Sequence, residues 1–234
     1  MQQISLPQGT FTLAPNFPAQ RLVLVAGGRA PSADWLQHVS QGSPVWAIDR
    51  GLEACRAAEL IPQRLIGDAD SASAASWNWA AQNYVPTDRY PRAKDYTDTQ
   101  LALHTALQTL MEPTVLILAG AWGGRFDHAF STLFSASRTP WPVIMADERE
   151  TCFFLRPQQK VTLCGQSQPQ AISLLPLTAC VTGVTLTGTH WPLMDATLTQ
   201  AQANAISNEL EPPVKELTLQ IKTGLLGLYC CWQE

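Results

Sequence analysis

The chain has few charged residues, and neither sign dominates. Charged side chains make up 15% of the sequence, and 19 acidic against 15 basic residues give a formal net charge of -4. So small an acidic excess creates no broad attraction for nucleic acid or an anionic membrane surface. We therefore expect no nucleic-acid partner, and any anionic ligand has to be held by local groups.

Cysteine is scarce, and long apolar runs are missing. The six cysteines form no CxxC pair and no zinc-ligand spacing. The N-terminus does not resemble a secretory signal, and apolar runs such as residues 115–119 are too short to span a bilayer. These features predict a cytoplasmic protein with reduced thiols and no membrane association.

A regular alternation of apolar and amphipathic stretches fills the first part of the chain. The apolar runs are residues 21–28, 44–49, 63–68, 114–121 and 142–147, and the amphipathic stretches lie near 32–41, 51–59, 72–83, 96–111 and 127–137. Continuous apolar strands that alternate with helices are typical of a parallel sheet covered on both faces. We predict an α/β N-terminal domain with a Rossmann-like parallel sheet, residues 1–147.

The remaining sequence has a different character. Residues 148–234 are rich in β-branched residues and turns and carry little helix signal, which predicts an all-β C-terminal sandwich domain. For residues 1–20 two interpretations remain open, an added hairpin or a segment that covers a sheet edge.

Carboxylates occur where the predicted strands end or the next helices begin. They are Asp49, Asp68, Asp70, Asp98 and Asp127. The carboxyl ends of parallel strands meet at one edge of a sheet, where folds of this type bind ligands. Carboxylate oxygens suit Mg²⁺, which also favours phosphate oxygens, so the sequence predicts a nucleotide polyphosphate at this edge.

Glycine-rich turns supply a positive counterpart to these acids. "AGGR" (26–29) follows the first apolar run, and "GGR" (123–125) follows the fourth. Glycine lets backbone N–H groups approach phosphate closely, and arginine forks onto phosphate oxygens. Neither turn is a Walker A or a G-x-G-x-x-G motif. The alternative is ordinary turn chemistry: glycines commonly serve only the turn, and single acids commonly serve only as helix N-caps.

Six short motifs follow one another in an order typical of one family. They are "AIDRG" (47–51), "GDADS" (67–71), "KDYTDTQLAL" (94–103), "GGRFDH" (123–128), "HWPL" (190–193) and "SNE" (207–209). With these motifs the chain resembles the thiamine pyrophosphokinases over nearly its whole length. Two positions depart from the family pattern: Arg50 stands where glycine is usual, and no asparagine follows "GGRFDH" closely.

The resemblance implies a reaction, a cofactor and roles for individual residues. The implied enzyme transfers the pyrophosphoryl group of ATP to the hydroxyl of thiamine, giving thiamine diphosphate and AMP, with Mg²⁺ as the cofactor. The implied metal ligands are Asp68, Asp70 and Asp98. The implied catalytic residues are Asp70, Asp98, Arg125 and Asp127. The implied nucleotide-binding residues are Gly27, Gly28, Arg29, Asp49, Gly123, Gly124 and Arg125.

The resemblance also implies a thiamine site and an assembly. Lys94, Trp191, Ser207 and Asn208 would contact the substrate, with the Trp191 ring stacked on the cationic thiamine. The alternative for Trp191 is a tryptophan in the core of the sandwich. Residues 1–147 would bind ATP and Mg²⁺, and residues 148–234 would bind thiamine and form a homodimer with active sites at the subunit interface.

Two other functions fit the same residues. One is a pyrophosphokinase of the same fold that acts on another alcohol, such as a hydroxymethylpterin. The other is a regulatory module that binds a magnesium nucleotide without chemistry. His104 and His128 are predicted to be structural or surface residues, since neither has a partner at metal-ligand spacing.

Overall fold

The chain folds into two compact units in a computed structural model that describes residues 3–68, 71–202, 204–212 and 215–233. One unit is Ala19–Asp147, and the other joins Met1–Pro18 to Glu148–Glu234. The helices are α1 Ala33–Ser40, α2 Gly51–Ala57, α3 Ala74–Gln82, α4 Asp98–Thr109 and α5 Phe126–Arg138. The strands are β1 Gln3–Leu6, β2 Gly9–Ala14, β3 Gln20–Val25, β4 Val45–Ile48, β5 Arg64–Gly67, β6 Thr87–Arg89, β7 Thr114–Ala119, β8 Val143–Ala146, β9 Glu150–Leu155, β10 Lys160–Gly165, β11 Ala171–Pro176, β12 Cys180–Thr187, β13 Leu193–Thr199, β14 Glu216–Gln220 and β15 Leu226–Cys231.

The unit Ala19–Asp147 is built on a parallel sheet with the strand order β8-β7-β3-β4-β5-β6. Every residue of β4, β7 and β8 is buried, as expected for parallel strands covered on both faces. The chain proceeds outward from β3 to β6 and then returns to β7 on the other side of β3. The strand order therefore reverses between β3 and β7, which is where open α/β sheets bind ligands.

Three helices of this unit, α1, α3 and α4, begin at side chains that replace the missing backbone acceptors. Ser32 and Ser73 cap α1 and α3 by accepting hydrogen bonds from backbone N–H groups of the first turn. Thr97 and Gln100 form a capping box at the start of α4. Asp49, Asp68, Asp98 and Asp127 are not N-cap residues of any described helix, so the N-cap alternative is wrong for these four acids. Asp70 lies outside the described residues.

The second unit is an antiparallel sandwich. Its strands lie in the orders β1-β2-β10-β14-β12-β13 and β11-β15-β9. In β2 and β14 buried residues alternate with partly exposed ones, so one face of that sheet packs into the core. The Phe153 ring on β9 lies 6.2 Å from the Phe11 ring on β2 and 5.8 Å from the Phe17 ring. The predicted fold class, an α/β domain and an all-β sandwich, is confirmed.

The prediction that the α/β domain begins at residue 1 is wrong. Residues 3–18 belong to the sandwich, where β1 and β2 form a hairpin and β2 pairs with β10 over Gly9–Ala14. The side chains of Ile4, Leu6 and Phe11 are almost completely buried there. Pairing across so long a sequence separation leaves no local signal.

The short strand β6 was not predicted either, because three residues carry too little pattern.

The helix lengths and the cysteines of the described residues bear on two of the sequence predictions. No helix within the described residues combines the length and the apolar character that a membrane crossing requires. All six cysteines lie within the described ranges, and each is a free thiol.

Truncation of Phe11 tests the assignment of the N-terminal hairpin. Phe11→Ala removes a ring that is 1% exposed and in contact with Phe153, so it should lower the free energy of unfolding by about 3–5 kcal/mol. Amide hydrogen exchange should accelerate in β10 and β14, while the amides of β3 and β7 keep their protection. Thr12→Ala, on the opposite face of β2, is the control and should change stability by no more than about 0.5 kcal/mol. Unchanged exchange in β10 would contradict the assignment.

Candidate functional site

An open cleft of about 710 Å³ lies at the carboxyl ends of the parallel strands. The segments that follow β3, β4, β5, β6 and β7 form it, together with the N-terminal parts of α4 and α5. Its lining residues are Ala26, Gly27, Gly28, Ile48, Asp49, Arg50, Asp68, Ser71, Arg92, Lys94, Asp95, Tyr96, Thr97, Asp98, Thr99, Gly120, Ala121, Gly123, Gly124, Arg125, His128, Ala129 and Thr132. The cleft therefore collects polar groups from well-separated segments of one unit.

The turns after β3 and β7 are joined by their backbones. Gly28 N–H donates to the Gly120 carbonyl over 2.8 Å, and Arg29 N–H donates to the Trp122 carbonyl over 2.5 Å. A Cβ atom on Gly28 would lie 2.4 Å from the Trp122 carbonyl oxygen, so only glycine permits this approach. The two glycine-rich turns thus form one continuous wall of the cleft at the point where the strand order reverses.

Three aspartates meet on another side of the cleft. Asp49, Asp68 and Asp98 each offer a carboxylate oxygen, and these atoms all lie within 4.8 Å of one another. Asp68 and Asp98 were predicted as metal ligands, whereas Asp49 was predicted to face the nucleotide. Asp70, the third predicted ligand, lies outside the described residues.

The local backbone structure sets the positions of two of these acids, Asp49 and Asp98. Asp49 follows β4 directly and has a φ of 47°, in the left-handed region that non-glycine residues rarely adopt. Its carboxylate accepts a short hydrogen bond from the Ser71 hydroxyl. Asp98 is the first residue of α4, and because Thr97 already caps that helix, the Asp98 carboxylate is not used as the cap.

Lys94 lies between two of the carboxylates. Its Nζ is 2.8 Å from Asp68 Oδ2 and 3.3 Å from Asp98 Oδ1, and only 12% of its side chain is exposed. The ammonium group therefore neutralises part of the acid cluster. Lys94 was predicted to contact the substrate, and that role stays a prediction.

The pKa values in this group reflect burial and mutual charge. Burial raises the pKa of the Asp98 carboxyl, and the nearby charge of Asp68 acts in the same direction, whereas the attraction of Lys94 only partly offsets them. Burial by itself lowers the pKa of the Lys94 ammonium, but the hydrogen bond and charges of Asp68 and Asp98 outweigh it and raise that pKa. Ionised carboxylates here thus depend on a nearby cation.

The acid cluster has the properties of a site for a divalent cation. Asp98 Oδ1 is buried and, among the described residues, accepts no hydrogen bond of good geometry, although Lys94 Nζ lies within ion-pair distance. Carboxylate oxygens are hard ligands, which suit Mg²⁺ better than a softer metal. The residues present therefore fit the predicted cofactor.

An exposed ion pair stands at the start of α5. Arg125 Nε and Nη2 donate to Asp127 Oδ1 and Oδ2 over 3.1 and 2.5 Å. These hydrogen bonds hold the pKa of Asp127 below its usual value and raise that of Arg125. The Asp127 carboxylate thus fixes the plane of the guanidinium beside the cleft that Arg125 lines.

Arg29 differs from the other predicted nucleotide-binding residues. Gly27, Gly28, Asp49, Gly123, Gly124 and Arg125 all line the cleft, but Arg29 does not. Its Nε and Nη2 donate to Asp147 Oδ2 over 2.9 and 2.6 Å, and the Asp147 side chain is fully buried. The Arg29 guanidinium thus supplies the counter-charge that a buried carboxylate requires, and its predicted nucleotide contact stays a prediction.

The sandwich unit contains a smaller cavity of about 110 Å³ beside Trp191. Trp191 is 57% exposed, so the alternative of a tryptophan in the sandwich core is wrong. Leu174, Leu186, Leu193 and Ile206 give this cavity an apolar wall, and Asn204 and Asn208 add amides. An exposed indole beside an apolar cavity can bind a flat organic ring.

Asn208 holds the backbone of Trp191. The Asn208 amide oxygen accepts from Trp191 N–H over 3.2 Å, and the Asn208 amide nitrogen donates to the Trp191 carbonyl over 2.7 Å. Ser207 has a φ of 58°, and its N–H donates to Ser173 Oγ. The Asn208 amide is therefore used within the chain, and its predicted contact with a pyrimidine stays a prediction.

Several residues of the cleft were not identified from the sequence. His128, which was predicted to be a structural or surface residue, lines the cleft, and its N–H donates to Asp127 Oδ1. Arg92 and Thr132 also line the cleft.

Asp147, which does not line the cleft, was also not singled out from the sequence. It follows an apolar run as the other strand-end acids do, and that position is a signal that could have identified it as a functional candidate.

Comparison with known proteins assigns the chain to a family. The profile described as "Thiamin pyrophosphokinase, catalytic domain" matches residues 36–142, and the profile "Thiamin pyrophosphokinase, vitamin B1 binding domain" matches residues 160–226. The chain is also 27% identical to a thiamine pyrophosphokinase of Bacillus subtilis over 191 residues, which is 80% of this chain and 88% of that protein.

Solved structures of similar proteins share the fold. A thiamine pyrophosphokinase from Bacillus subtilis superimposes with a TM-score of 0.79 at 24% identity, over 92% of this chain and 100% of that one. A thiamin pyrophosphokinase from Candida albicans superimposes with a TM-score of 0.75 at 13% identity, over 90% of each chain. Because the two profiles of one family together match well over half of the sequence, this chain belongs to the thiamine pyrophosphokinase family.

Proposed function

We propose that this chain transfers the pyrophosphoryl group of ATP to the hydroxyl of thiamine, giving thiamine diphosphate and AMP. The observation that carries this proposal is the convergence of Asp49, Asp68 and Asp98 within 4.8 Å, in the same cleft as the two glycine-rich turns. Acids alone would repel an anionic substrate, and glycine turns alone would leave its charge weakly neutralised. Together they suit a polyphosphate that arrives with a divalent cation.

Asp68 and Asp98 would hold Mg²⁺, and Asp49 is placed to add a third carboxylate. Asp70 remains part of this proposal by its place in the "GDADS" turn. A bound Mg²⁺ neutralises charge on phosphate oxygens and makes the phosphorus more electrophilic. Because Lys94 contacts the same carboxylates, we expect it to move toward phosphate or substrate oxygens when the cation binds.

The chain itself positions the phosphates. Gly27, Gly28, Gly123 and Gly124 line the cleft, and Arg125 carries a guanidinium held by Asp127 at its rim. Catalysis of phosphoryl transfer depends mainly on such positioning and on charge neutralisation. Arg125 would stabilise the charge that moves onto the leaving phosphate.

The transfer balances without any further reactant. The thiamine hydroxyl oxygen forms a bond to the β-phosphorus, and the bond between that phosphorus and the oxygen bridging to the α-phosphate breaks. The bridging oxygen keeps the bonding electrons and leaves as part of AMP. The hydroxyl proton passes to a carboxylate, for which Asp70 and Asp98 are the candidates.

The thiamine site is proposed to be formed by the sandwich unit. The exposed Trp191 ring can stack on a cationic aromatic, and the apolar cavity beside it suits a flat ring. Asn208 would act by holding Trp191, and Ser207 would offer a hydroxyl to the pyrimidine. A cytoplasmic homodimer with active sites at the subunit interface completes the proposal and follows from the family resemblance.

The reaction is tested directly by its two products. Incubation of the chain with Mg-ATP and thiamine should release AMP and thiamine diphosphate in equal amounts, measured by liquid chromatography. A hydroxymethylpterin in place of thiamine should give little AMP. Pterin diphosphate as the main product would favour the other alcohol, and no AMP with either acceptor would favour the regulatory module.

Replacement of Asp98 tests the metal assignment. Asp98→Asn keeps the shape of the side chain but removes a charged ligand, so kcat should fall on the order of 100-fold or more, equivalent to about 3 kcal/mol of transition-state stabilisation. Asp34→Asn is the control, because Asp34 also lies in the first turn of a helix but is exposed and outside the cleft. Full activity of Asp98→Asn would contradict the assignment.

Replacement of Trp191 tests the thiamine site. Trp191→Ala should raise the KM for thiamine about tenfold, because cation–π stacking on an indole contributes about 1–2 kcal/mol, while the KM for ATP stays unchanged. Trp191→Phe should retain part of the affinity. The control is Met194→Ala, which removes another exposed apolar side chain that does not line the cavity. Equal thiamine KM values in Trp191→Ala and the unsubstituted enzyme would place thiamine elsewhere.

A further inference from the structure

The ion pair between Arg29 and Asp147 connects two turns at the carboxyl edge of the parallel sheet. Arg29 follows β3, Asp147 follows β8 directly, and β7 lies between these two strands. Two guanidinium nitrogens of Arg29 donate to the same oxygen, Asp147 Oδ2, over 2.9 and 2.6 Å. The pair therefore reaches across the end of β7, where the glycine-rich turn 120–124 begins.

Arg29 is also in contact with that glycine-rich turn. Its backbone N–H donates to the Trp122 carbonyl over 2.5 Å. A Cβ atom on Gly123 would lie 3.0 Å from Arg29 Cβ, so the turn packs against the base of the arginine side chain. Arg29 thus touches the turn through its backbone and Cβ and is fixed at its far end by Asp147.

We infer that Arg29 and Asp147 are positioning residues that set the geometry of the glycine-rich turn for ATP, and that Arg29 acts through this pair instead of binding phosphate. The inference rests on the proposal that the cleft binds ATP. It assigns a role to Asp147, a fully buried carboxylate that does not line the cleft. A small displacement of groups that position a substrate is enough to reduce binding and rate strongly.

The chemistry of the pair explains why arginine is required. The planar guanidinium places two donors in a fixed fork, which resists rotation of the chain at residue 29. A lysine would keep the charge beside Asp147 but would offer a single flexible ammonium. Charge and geometry can therefore be separated by substitution.

The test measures equilibrium binding of the magnesium complex of the α,β-methylene analogue of ATP, whose α,β bridge cannot be cleaved, by calorimetry without thiamine. Arg29→Lys keeps a cation next to the buried carboxylate and is expected to fold. Asp147→Asn removes the charge at constant shape, and the double variant Arg29→Lys/Asp147→Asn completes the cycle. Melting temperatures are recorded for each variant. Arg64→Lys is the matched control, since Arg64 pairs with Asp88 over 2.7 Å at the other side of the same sheet and does not line the cleft.

Both single variants should weaken binding of the analogue on the order of tenfold. The double variant should be no weaker than the weaker single one, because the two residues act as one unit. Arg64→Lys should bind normally. In the active enzyme the KM for ATP should rise, while the KM for thiamine stays constant.

Two results would overturn the inference. Normal binding by folded Arg29→Lys and Asp147→Asn would show that the pair does not shape the turn. If the affinity losses of Arg29→Lys and Asp147→Asn added up in the double variant, the two residues would act independently, and Arg29 would be a direct phosphate contact. Failure of the unsubstituted chain to bind the analogue would instead contradict the proposed function, so the two failures can be distinguished.

Discussion

The fold brings several carboxylates to one edge of the parallel sheet, and their mutual repulsion is the main constraint on the cleft. Asp49, Asp68 and Asp98 come from three different segments, and their oxygens meet within 4.8 Å. Like charges at that separation destabilise the folded state unless a cation lies among them. Lys94 supplies one positive charge, and burial of Asp98 makes its ionised form still more dependent on a cation. The divalent cation that we propose for this cluster would relieve the remaining repulsion.

The architecture explains why the carboxylates of the cleft lie at this edge of the sheet. The central strands of the parallel sheet are buried along their length, so charged groups are tolerated only where the strands end. The reversal of strand order between β3 and β7 leaves a crevice there, and the glycine-rich turns line it. The sandwich unit differs, because its sheets bury one face and leave the other partly exposed. It carries an exposed tryptophan beside an apolar cavity.

Much of this organisation could be predicted from the sequence because it follows from local patterns. Apolar runs that end in Asp49, Asp68 or a glycine pair predict both the strands and the edge at which they meet. Partners distant in sequence could not be predicted in the same way. The pairing of β2 with β10, the ion pair of Arg29 with Asp147, and the hold of Asn208 on Trp191 each depend on the tertiary fold. For Arg29 the sequence predicts a residue that faces the nucleotide, and only the fold reveals its buried partner Asp147.

We propose that Asp49, Asp68 and Asp98, from three separate segments, bind one divalent cation together with the triphosphate of ATP. This proposal is tested most directly by a crystal structure of the chain with Mn²⁺ and the α,β-methylene analogue of ATP, in which anomalous scattering locates the metal. The account predicts a manganese peak within ~2.5 Å of carboxylate oxygens of both Asp68 and Asp98, with phosphate oxygens completing its coordination. A metal and nucleotide bound away from these aspartates would contradict it.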